Sequence, residues 1–387
     1  MTTERRTFLK ATAVTAASYA RVLGANERIR MATLGAGGRG QYLTNLALQA
    51  GGTEVVAICD VFETRRAQAR EKLAPAAKEN LEYREVLERS DIDAVIIGSP
   101  DHWHVPMARD AVTAGKDVYV EKPLSHTIEE GEQLVKVVGA SKQIVQVGYQ
   151  QRSWEHFQQA RDLIAAGKLG KISMILVSWY QPYFRTAQKP PEIDPAKVDW
   201  RRFLGTAPQQ PFNAARFAWW RWYWDFGGGH LTDLYSHYGD VVHWAMNTDT
   251  VSEAQAMGSS IACQQFECPD TMSASFHYPG FYVTYTGTLI GNLDGGNLIF
   301  RGTQAMMKLN RDGFAVYPEG GVAFEKTNYP EPEMQARSLK DGTPGHMQNF
   351  LECIRSRKEP NAPVRLCASA ARTAHLGNQA LRKGAKA

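Results

Sequence analysis

Residues 29–60 read IRMATLGAGGRGQYLTNLALQAGGTEVVAICD. The apolar run over residues 28–34 predicts a strand, and apolar side chains at helical spacing over 41–49 predict a helix. A second apolar run, from Glu54 to Asp60, has the composition of a parallel strand buried on both faces. A glycine-rich turn lies between the first strand and the helix, so the segment is predicted to form a βαβ unit.

The turn Gly35-Ala36-Gly37-Gly38-Arg39-Gly40 matches the pattern G-x-G-x-x-G in the strand-to-helix context that this pattern requires. Its first glycine permits the tight turn, its second lets a pyrophosphate approach the backbone, and its third lets helix and strand pack closely. The free N–H groups at the start of the helix attract phosphate. We therefore predict a dinucleotide site formed by Gly35, Gly37, Gly38, Arg39 and Gly40.

Asp60 ends the second strand, twenty positions after Gly40. A carboxylate at this place accepts hydrogen bonds from the hydroxyls of the adenosine ribose and repels a 2′-phosphate. Asp60 thus favours NAD as the cofactor. Arg65 and Arg66 lie nearby in sequence and leave NADP open as an alternative.

Further strands and helices alternate along the first 150 residues. Strands are predicted over 93–98, 117–120 and 144–148, and helices over 102–114 and 127–140. This alternation is typical of a doubly wound α/β sheet. We assign residues 27–150 to a Rossmann dinucleotide-binding domain.

The remaining residues, 151–387, are assigned to a second domain for substrate and oligomer contacts, because 387 residues exceed one ordinary core. Repeated β-type runs over 251–325 predict an antiparallel sheet. Residues 182–216 show no periodicity and are predicted to form a long ordered loop. Helices are predicted over 154–168, 346–357 and 368–381, and a strand is predicted over 170–180. The last helix is predicted to pack back on the first domain.

The composition excludes several classes of ligand. The net charge of +4 is spread along the chain without a dense basic run, which argues against nucleic acid as the main partner. The five cysteines are odd in number and contain no C-x-x-C pair. We therefore predict neither a disulfide framework nor a metal site.

The first 26 residues are interpreted as a targeting signal. The run Arg5-Arg6-Thr7-Phe8-Leu9-Lys10 resembles a twin-arginine export motif, although Glu4 stands where such signals usually carry Ser or Thr. The apolar stretch over 11–20 is too short and too polar for stable membrane insertion. We expect export through the twin-arginine machinery to the periplasm or the extracellular space. A frayed basic tail on a cytoplasmic protein is the alternative.

Four motifs carry a resemblance to a known family. They are the glycine turn with Asp60, the triplet Glu121-Lys122-Pro123 after a strand, the pair Ser99-Pro100 followed by His104, and the spacing Gly229-x-x-x-Asp233-x-x-x-His237. The chain resembles the Gfo/Idh/MocA oxidoreductases, which act on sugars and cyclitols, from about residue 27 to its end. The resemblance implies a Rossmann domain followed by an α/β domain with an open, mainly antiparallel sheet. It also implies a cis bond before Pro123 and a homo-oligomer.

The resemblance implies an active site at the carboxyl ends of the strands. Asp233 and His237 are predicted to share one face of a helix. His237 suits the base that takes the hydroxyl proton, since imidazole titrates near neutrality. Lys122 suits the cation that stabilises a developing alkoxide, and Asp233 would bind the substrate or orient the base. Cofactor contacts are implied for Ser99, Pro100, His104, Glu121 and Lys122.

An aromatic run over residues 217–226 precedes three glycines. Aromatic faces stack on the C–H faces of sugars, but a packing cluster explains the same run equally well. The candidate substrate-binding residues are Trp219, Arg221, Trp222, Asp225 and His230.

The sequence therefore predicts an enzyme, an NAD(P)-dependent oxidoreductase acting on a CH–OH group of a sugar, cyclitol or glycoside. Export separates a protein from the cytoplasmic nicotinamide pool, so we expect the cofactor to be tightly bound and carried with the chain. One alternative is a redox-neutral glycosidase or lyase that passes through a transient keto-sugar. A second alternative is a non-catalytic dinucleotide-binding protein.

Overall fold

The computed structural model describes residues 28–184, 188–320, 330–338 and 340–384. The predicted export signal over residues 1–26 lies outside the described residues, and so does the start of the first predicted domain at residue 27. No described helix is long and apolar enough to cross a membrane.

Six strands form the parallel sheet of the first domain: β1 (Ile29–Leu34), β2 (Thr53–Cys59), β3 (Lys78–Asn80), β4 (Ala94–Ile97), β5 (Asp117–Val120) and β6 (Val145–Val147). The helices between them are α1 (Gly38–Ala50), α2 (Glu63–Leu73), α3 (Tyr83–Leu87), α4 (Asp101–Thr113) and α5 (Ile128–Gly139). The strand order is β3-β2-β1-β4-β5-β6, with all pairs parallel. The predicted doubly wound Rossmann sheet is confirmed.

The strand order reverses between β1 and β4, which leaves a crevice beyond their carboxyl ends. The turns after these two strands approach each other closely there. Gly35 follows β1 at φ +88°, and a Cβ on it would lie 2.5 Å from the backbone nitrogen of Ser99, which follows β4. A Cβ on Gly40 would lie 1.9 Å from the carbonyl oxygen of Gly35. Glycine is required at both positions, because any side chain would push the two turns apart.

The second domain contains eight strands and six helices within the described ranges. The strands are β7 (Ile172–Tyr180), β8 (Glu253–Ser259), β9 (Thr271–Tyr278), β10 (Phe281–Thr288), β11 (Gly296–Gly302), β12 (Ala305–Asn310), β13 (Gly313–Pro318) and β14 (Met334–Arg337). The helices are α6 (Glu155–Ala165), α7 (Trp200–Leu204), α8 (Ala214–Ala218), α9 (Ser236–Met246), α10 (Thr343–Ser356) and α11 (Val364–Lys383).

The eight strands form one open sheet in the order β14-β13-β12-β11-β7-β10-β9-β8. Every neighbouring pair is antiparallel except β7 and β10, which are parallel. Alternate residues of β9 and β10 are buried, so one face of the sheet packs into the core and the other faces outward. This arrangement confirms the predicted open, mainly antiparallel sheet.

The last two helices connect the domains. Met347 and Phe350 of α10 share a core cluster with Leu43 of α1 and Tyr119 of β5. Helix α11 packs against α5 of the first domain and against β8 and α9 of the second. The two sheets are therefore held at a definite angle, and the crevice of the first domain faces the second.

One local prediction was wrong. Residues 182–216 are not one loop, because α7, most of α8 and a 3₁₀ turn at Pro195–Lys197 interrupt it. Helices of five residues are too short to show periodicity, although the side chains of Asp199 and Asn213 cap them.

Asp233 and His237 lie on a helix, as predicted, and both line one cavity. The helical turn Leu231–Tyr235, which contains Asp233, is π-helical and leads into α9.

Candidate active site

Two cavities lie along the crevice and share part of their walls. The outer cavity, of about 250 Å³, is lined by residues that include Gly35, Gly37, Gly38, Asp60 and Pro100. The inner cavity, of about 460 Å³, is lined by residues that include His104, Glu121, Lys122, Asp233 and His237. Both volumes together suit a dinucleotide and a small substrate. The residues common to the two cavities are Arg39, Gly98, Ser99, Ala218, Trp220 and Arg221.

The outer cavity fits a dinucleotide. A Cβ on Gly37 or Gly38 would meet nothing within 4 Å, so the space beside the start of α1 is open to a ligand. The Oγ atom of Ser99 is buried and has no hydrogen-bond partner among the described residues. Free N–H groups at a helix start and an unused hydroxyl are the donors that a pyrophosphate requires.

Asp60 lies at the far end of the outer cavity. Its Oδ2 accepts a hydrogen bond from the backbone N–H of Ala36 at 2.8 Å, and its Oδ1 accepts one from that of Phe62 at 2.8 Å. These bonds fix the carboxylate, whose oxygens keep further lone pairs for ribose hydroxyls. Arg65 lines the same cavity, so a cation is also present that could bind the 2′-phosphate of NADP.

Three predicted cofactor residues form the frame between the cavities. The Nε of Arg39 donates to Oε1 of Glu121 at 2.7 Å, and Oε2 of Glu121 accepts from the backbone N–H of Lys122 at 3.2 Å. The ring nitrogens of His104 lie 2.7 Å from the carbonyl oxygen of Pro123 and 2.9 Å from that of Ser99. Burial lowers the pKa of His104, and the neutral ring donates its single N–H to one of these two carbonyl oxygens. His104 and Glu121 thus shape the cavity wall as well as line it.

Lys122 and Asp233 form a buried ion pair across the two domains. Lys122 Nζ donates to Oδ1 of Asp233 at 2.7 Å and to its backbone oxygen at 2.6 Å. The Nε of Arg221 donates to the same Oδ1 at 3.1 Å. Burial raises the pKa of Asp233, but Lys122 and Arg221 outweigh burial and lower it to about 2. Asp233 is therefore ionised throughout the neutral range. The bond between Lys122 and Pro123 is cis, as the resemblance implied.

His237 is the neutral group of the site. Its ring stacks on the indole of Trp179, with centroids 5.4 Å apart and planes 17° from parallel. Its Nδ1 is buried and has no hydrogen-bond partner within the described part of the chain. Burial, followed by the charges of Lys122, Arg311 and Arg39, holds the pKa of His237 well below 6.5. The imidazole can therefore accept a proton at neutral pH.

The expectation that Asp233 orients His237 is wrong. The carboxylate of Asp233 bonds to Lys122 and Arg221 and makes no hydrogen bond to the imidazole among the described contacts. Asp233 therefore positions the Lys122 ammonium, whereas the stacking on Trp179 positions the imidazole of His237.

The candidate substrate residues divide into two groups. Trp219, Arg221 and Trp222 line the inner cavity, so the aromatic run serves the site as well as the core. Asp225 and His230 lie outside it, which corrects the prediction. Asp225 pairs with Arg216, and the ring of His230 lies between the hydroxyl of Tyr285 and the carbonyl oxygen of Asp270. Both side chains therefore make structural polar contacts away from the inner cavity.

Sequence reasoning missed several residues of the crevice. Trp179 and Arg311 line the inner cavity, although they lie 132 positions apart in the sequence. Trp179 belongs to β7, and Arg311 lies in the turn between β12 and β13. Arg202 and Phe203 of α7 line the outer cavity. No spacing connects these positions to the known motifs, so no sequence signal could have found them. The remaining inner-cavity residues without a motif are Gln150, Gln181, Tyr183 and Phe184.

Comparison with known proteins agrees with this geometry. Residues 29–149 match the family described as "Oxidoreductase family, NAD-binding Rossmann fold", and residues 159–386 match the "Oxidoreductase family, C-terminal alpha/beta domain". The chain belongs to the Gfo/Idh/MocA oxidoreductase family. Its first domain is thus an NAD-binding Rossmann domain.

Individual relatives are more distant. The inositol 2-dehydrogenase of Salmonella typhimurium is 30% identical over 152 residues, which are 38% of this chain and 45% of that protein. Glycosyl hydrolase family 109 protein 1 of Shewanella sp. (strain ANA-3) is 42% identical over 117 residues, 28% of this chain and 26% of that protein. The chain thus matches less than half the length of these curated relatives.

A solved structure covers more of the fold. The WlbA dehydrogenase of Bordetella pertussis, crystallised with NADH and UDP-GlcNAcA, has a TM-score of 0.70 at 21% identity. The match covers 93% of this chain and 98% of that one. At this identity the likeness supports the shared fold.

The open space at Gly37 gives a test of the cofactor site. Gly37→Val is expected to leave the unfolding temperature unchanged, since no atom lies within 4 Å of the added Cβ. It should weaken NADH binding at least tenfold, because the side chain occupies the space assigned to the pyrophosphate. Fluorescence titration with NADH measures the effect. Gly139→Val is the matched control, because Gly139 is equally free of neighbours but distant from the cavity. Equal NADH affinity in both variants would reject the assignment.

Proposed function

We propose that the protein is an NAD-dependent oxidoreductase that transfers a hydride between a CH–OH carbon of a sugar, cyclitol or glycoside and a tightly bound nicotinamide cofactor. One observation carries the proposal. A cation held by a carboxylate, Lys122 with Asp233, lines one cavity together with the neutral imidazole of His237, whose Nδ1 has no hydrogen-bond partner among the described residues. That cavity adjoins the NAD site through Arg39, Ser99 and Arg221.

The residues divide the reaction between them. Oxidation of an alcohol removes the hydroxyl proton and a hydride from the carbon that bears it. Bound NAD supplies the hydride acceptor. His237 takes the hydroxyl proton on a ring nitrogen, because its lowered pKa keeps the ring neutral. The Lys122 ammonium stabilises the negative charge that develops on the substrate oxygen. Asp233 keeps that ammonium at the cavity wall.

A product assay tests this function. The expected result is a ketone or lactone product and one bound NADH for each polyol or sugar molecule converted in a single turnover. Lys122→Met should reduce the rate of hydride transfer at least a hundredfold while NADH binding persists. Absorbance of bound NADH and mass spectrometry of the product give the two measurements. Unchanged turnover in Lys122→Met on every substrate would refute the assignment of Lys122.

The redox-neutral glycosidase stays as the second candidate because of the glycosyl hydrolase family 109 relatives, which are 42% identical over 117 residues. The intact Asp233 and His237 favour the dehydrogenase, since the resemblance implies that the glycosidase branch departs from this spacing. A p-nitrophenyl glycoside separates the two functions. Release of nitrophenol without net NADH would establish the glycosidase. A protein that binds NADH but converts neither kind of substrate would be the non-catalytic alternative.

The pH profile of the dehydrogenase assay tests His237 separately. A base acts in its neutral form, so the rate is constant above its pKa and falls as the pH drops through that value. The pKa of His237 lies well below 6.5. We expect kcat/KM to be constant from about pH 8 to pH 6.5 and to fall only at lower pH. An acid limb centred at or above pH 6.5 would be inconsistent with His237 as the base.

Retention of the cofactor is supported by a covering segment, residues 198–205, which bonds to the first domain beside the outer cavity. The backbone N–H of Asp199 donates to Val61 O at 2.9 Å. The indole N–H of Trp103 donates to Phe203 O at 2.9 Å, and Arg202 pairs with Glu82 at 3.2 Å. Because Arg202 and Phe203 also line the cavity, this segment would contact a bound dinucleotide and slow its release.

This enclosure bears on the export that Arg5 and Arg6 predict. Twin-arginine substrates cross the membrane folded, so a retained cofactor would accompany the chain to a compartment without a nicotinamide pool. We therefore propose export with NAD already bound. Replacement of both arginines by lysine should keep the protein in the cytoplasm on cell fractionation, and an unchanged distribution would refute the signal.

Two neighbouring arginines give a matched test of retention. Arg202→Ala removes the ion pair with Glu82 and is expected to speed NADH release about fivefold to tenfold. Arg201→Ala should leave the release rate unchanged, because Arg201 is exposed and does not line the outer cavity. The rate is measured by chasing bound NADH with excess NAD and following its fluorescence. Purified protein that contains no dinucleotide and depends fully on added NAD would contradict retention.

A further inference from the structure

Arg311 is a cation of the inner cavity that the proposed reaction does not use. It lies in the turn between β12 and β13, opposite the Rossmann domain. Its guanidinium lies over the indole of Trp179, 5.0 Å from the ring centroid. The imidazole of His237 stacks on the same indole. Arg311 is therefore held beside the base that receives the substrate proton.

Within the described part of the chain, each of the other cations of this cavity forms an ion pair, and Arg311 forms none. Arg39 pairs with Glu121, and both Lys122 and Arg221 pair with Asp233. Among the described residues, the Nε of Arg311 is buried without a hydrogen-bond partner. The carboxylate of Asp341 acts on Arg311 through its charge, and that carboxylate accepts hydrogen bonds from Tyr42 and Thr343.

The charge of the cavity is unbalanced as a result. Its described lining contains four cations, Arg39, Lys122, Arg221 and Arg311, against two carboxylates, Glu121 and Asp233. Burial raises the pKa of the neighbouring Asp101 well above its usual range. A partly buried cation without an ion-pair partner is costly, and burial accordingly lowers the pKa of Arg311. A ligand anion would remove this cost.

The cofactor does not account for Arg311. The glycine turn and Asp60 line the outer cavity, whereas Arg311 lines the inner one and a separate surface cavity that also contains Asp294 and Asp312. Arg39, which lines both cavities, is the cation placed to face the cofactor phosphates. The anion that Arg311 requires must therefore come from the substrate side.

We propose that the substrate is a sugar acid and that Arg311 binds its carboxylate. This inference rests on the proposed function and names the substrate class of the same site. The planar guanidinium can donate two parallel hydrogen bonds to a carboxylate. Trp179 holds its plane, and Gln150 and Gln181, which line the same cavity, offer amides to the sugar hydroxyls. Arg311 is then a specificity residue, and it takes no part in proton transfer.

The experiment compares acids with their parent sugars on the NADH-loaded protein. The probes are glucuronate with glucose, galacturonate with galactose, and mannuronate with mannose, each titrated by calorimetry. We expect at least one uronate to bind at least tenfold more tightly than its parent hexose, as a charge-assisted bidentate contact allows. Arg311→Gln should reduce this ratio to about one. Arg301→Gln is the matched control, because Arg301 is exposed on β11, and it should keep the full ratio.

Each other outcome overturns the inference in a recognisable way. No uronate preference in the wild-type protein, or a preference that survives Arg311→Gln, removes the role of Arg311. Loss of NADH from Arg311→Gln would assign Arg311 to the cofactor. Tighter binding of glucose 6-phosphate than of every uronate would replace the carboxylate by a phosphate. Hydride transfer is measured in parallel: oxidation of neutral hexoses without acid preference keeps the proposed function and rejects only this inference. An Arg311-dependent uronate preference without hydride transfer would keep the role of Arg311 and reject the proposed function.

Discussion

The ion pair between Lys122 and Asp233 is the contact on which the site depends. Lys122 follows strand β5 of the Rossmann sheet, and Asp233 lies in the π-helical turn that precedes α9 in the second domain. Both side chains are largely buried, with 11% and 7% of their surface exposed. Loss of Asp233 would leave the Lys122 ammonium without its carboxylate partner, and an unpaired buried charge costs about 3–5 kcal/mol. The bond therefore locks the two domains at the distance that the cavity requires.

The same pair separates the two electrostatic tasks of the cavity. Asp233 is ionised because Lys122 and Arg221 outweigh its burial, whereas burial and the charges of Lys122, Arg311 and Arg39 all lower the pKa of His237. A fixed positive group and a neutral base thus lie side by side at one pH. The π-helical turn places Asp233 toward Lys122 while His237 packs on Trp179. Such turns often occur at functional sites, where an extra residue changes the direction of a side chain.

Local patterns predicted the first domain well, because its motifs depend on neighbours in sequence. The glycine turn, Asp60 and the strand-helix alternation lie within one βαβ unit, so spacing alone implies their contacts. The covering segment was missed for the opposite reason. Helices α7 and α8 have five residues each and are stabilised by caps and by bonds to Val61 and Trp103. Asp225 and His230 were misplaced because their partners, Arg216 and Tyr285, belong to packing contacts that no motif records.

The sequence by itself determined the fold class and the NAD-binding turn, because both follow from residue type and short spacing. It also singled out Lys122, Asp233 and His237 as candidate groups, through motifs that resemble those of the Gfo/Idh/MocA family. Only the tertiary structure decided what each group contacts. It assigned Asp233 to Lys122 instead of the base, stacked His237 on Trp179, and brought Arg311 into the cavity. Burial and pairing depend on side chains far apart in the chain, so they appear only when both sheets face the same crevice.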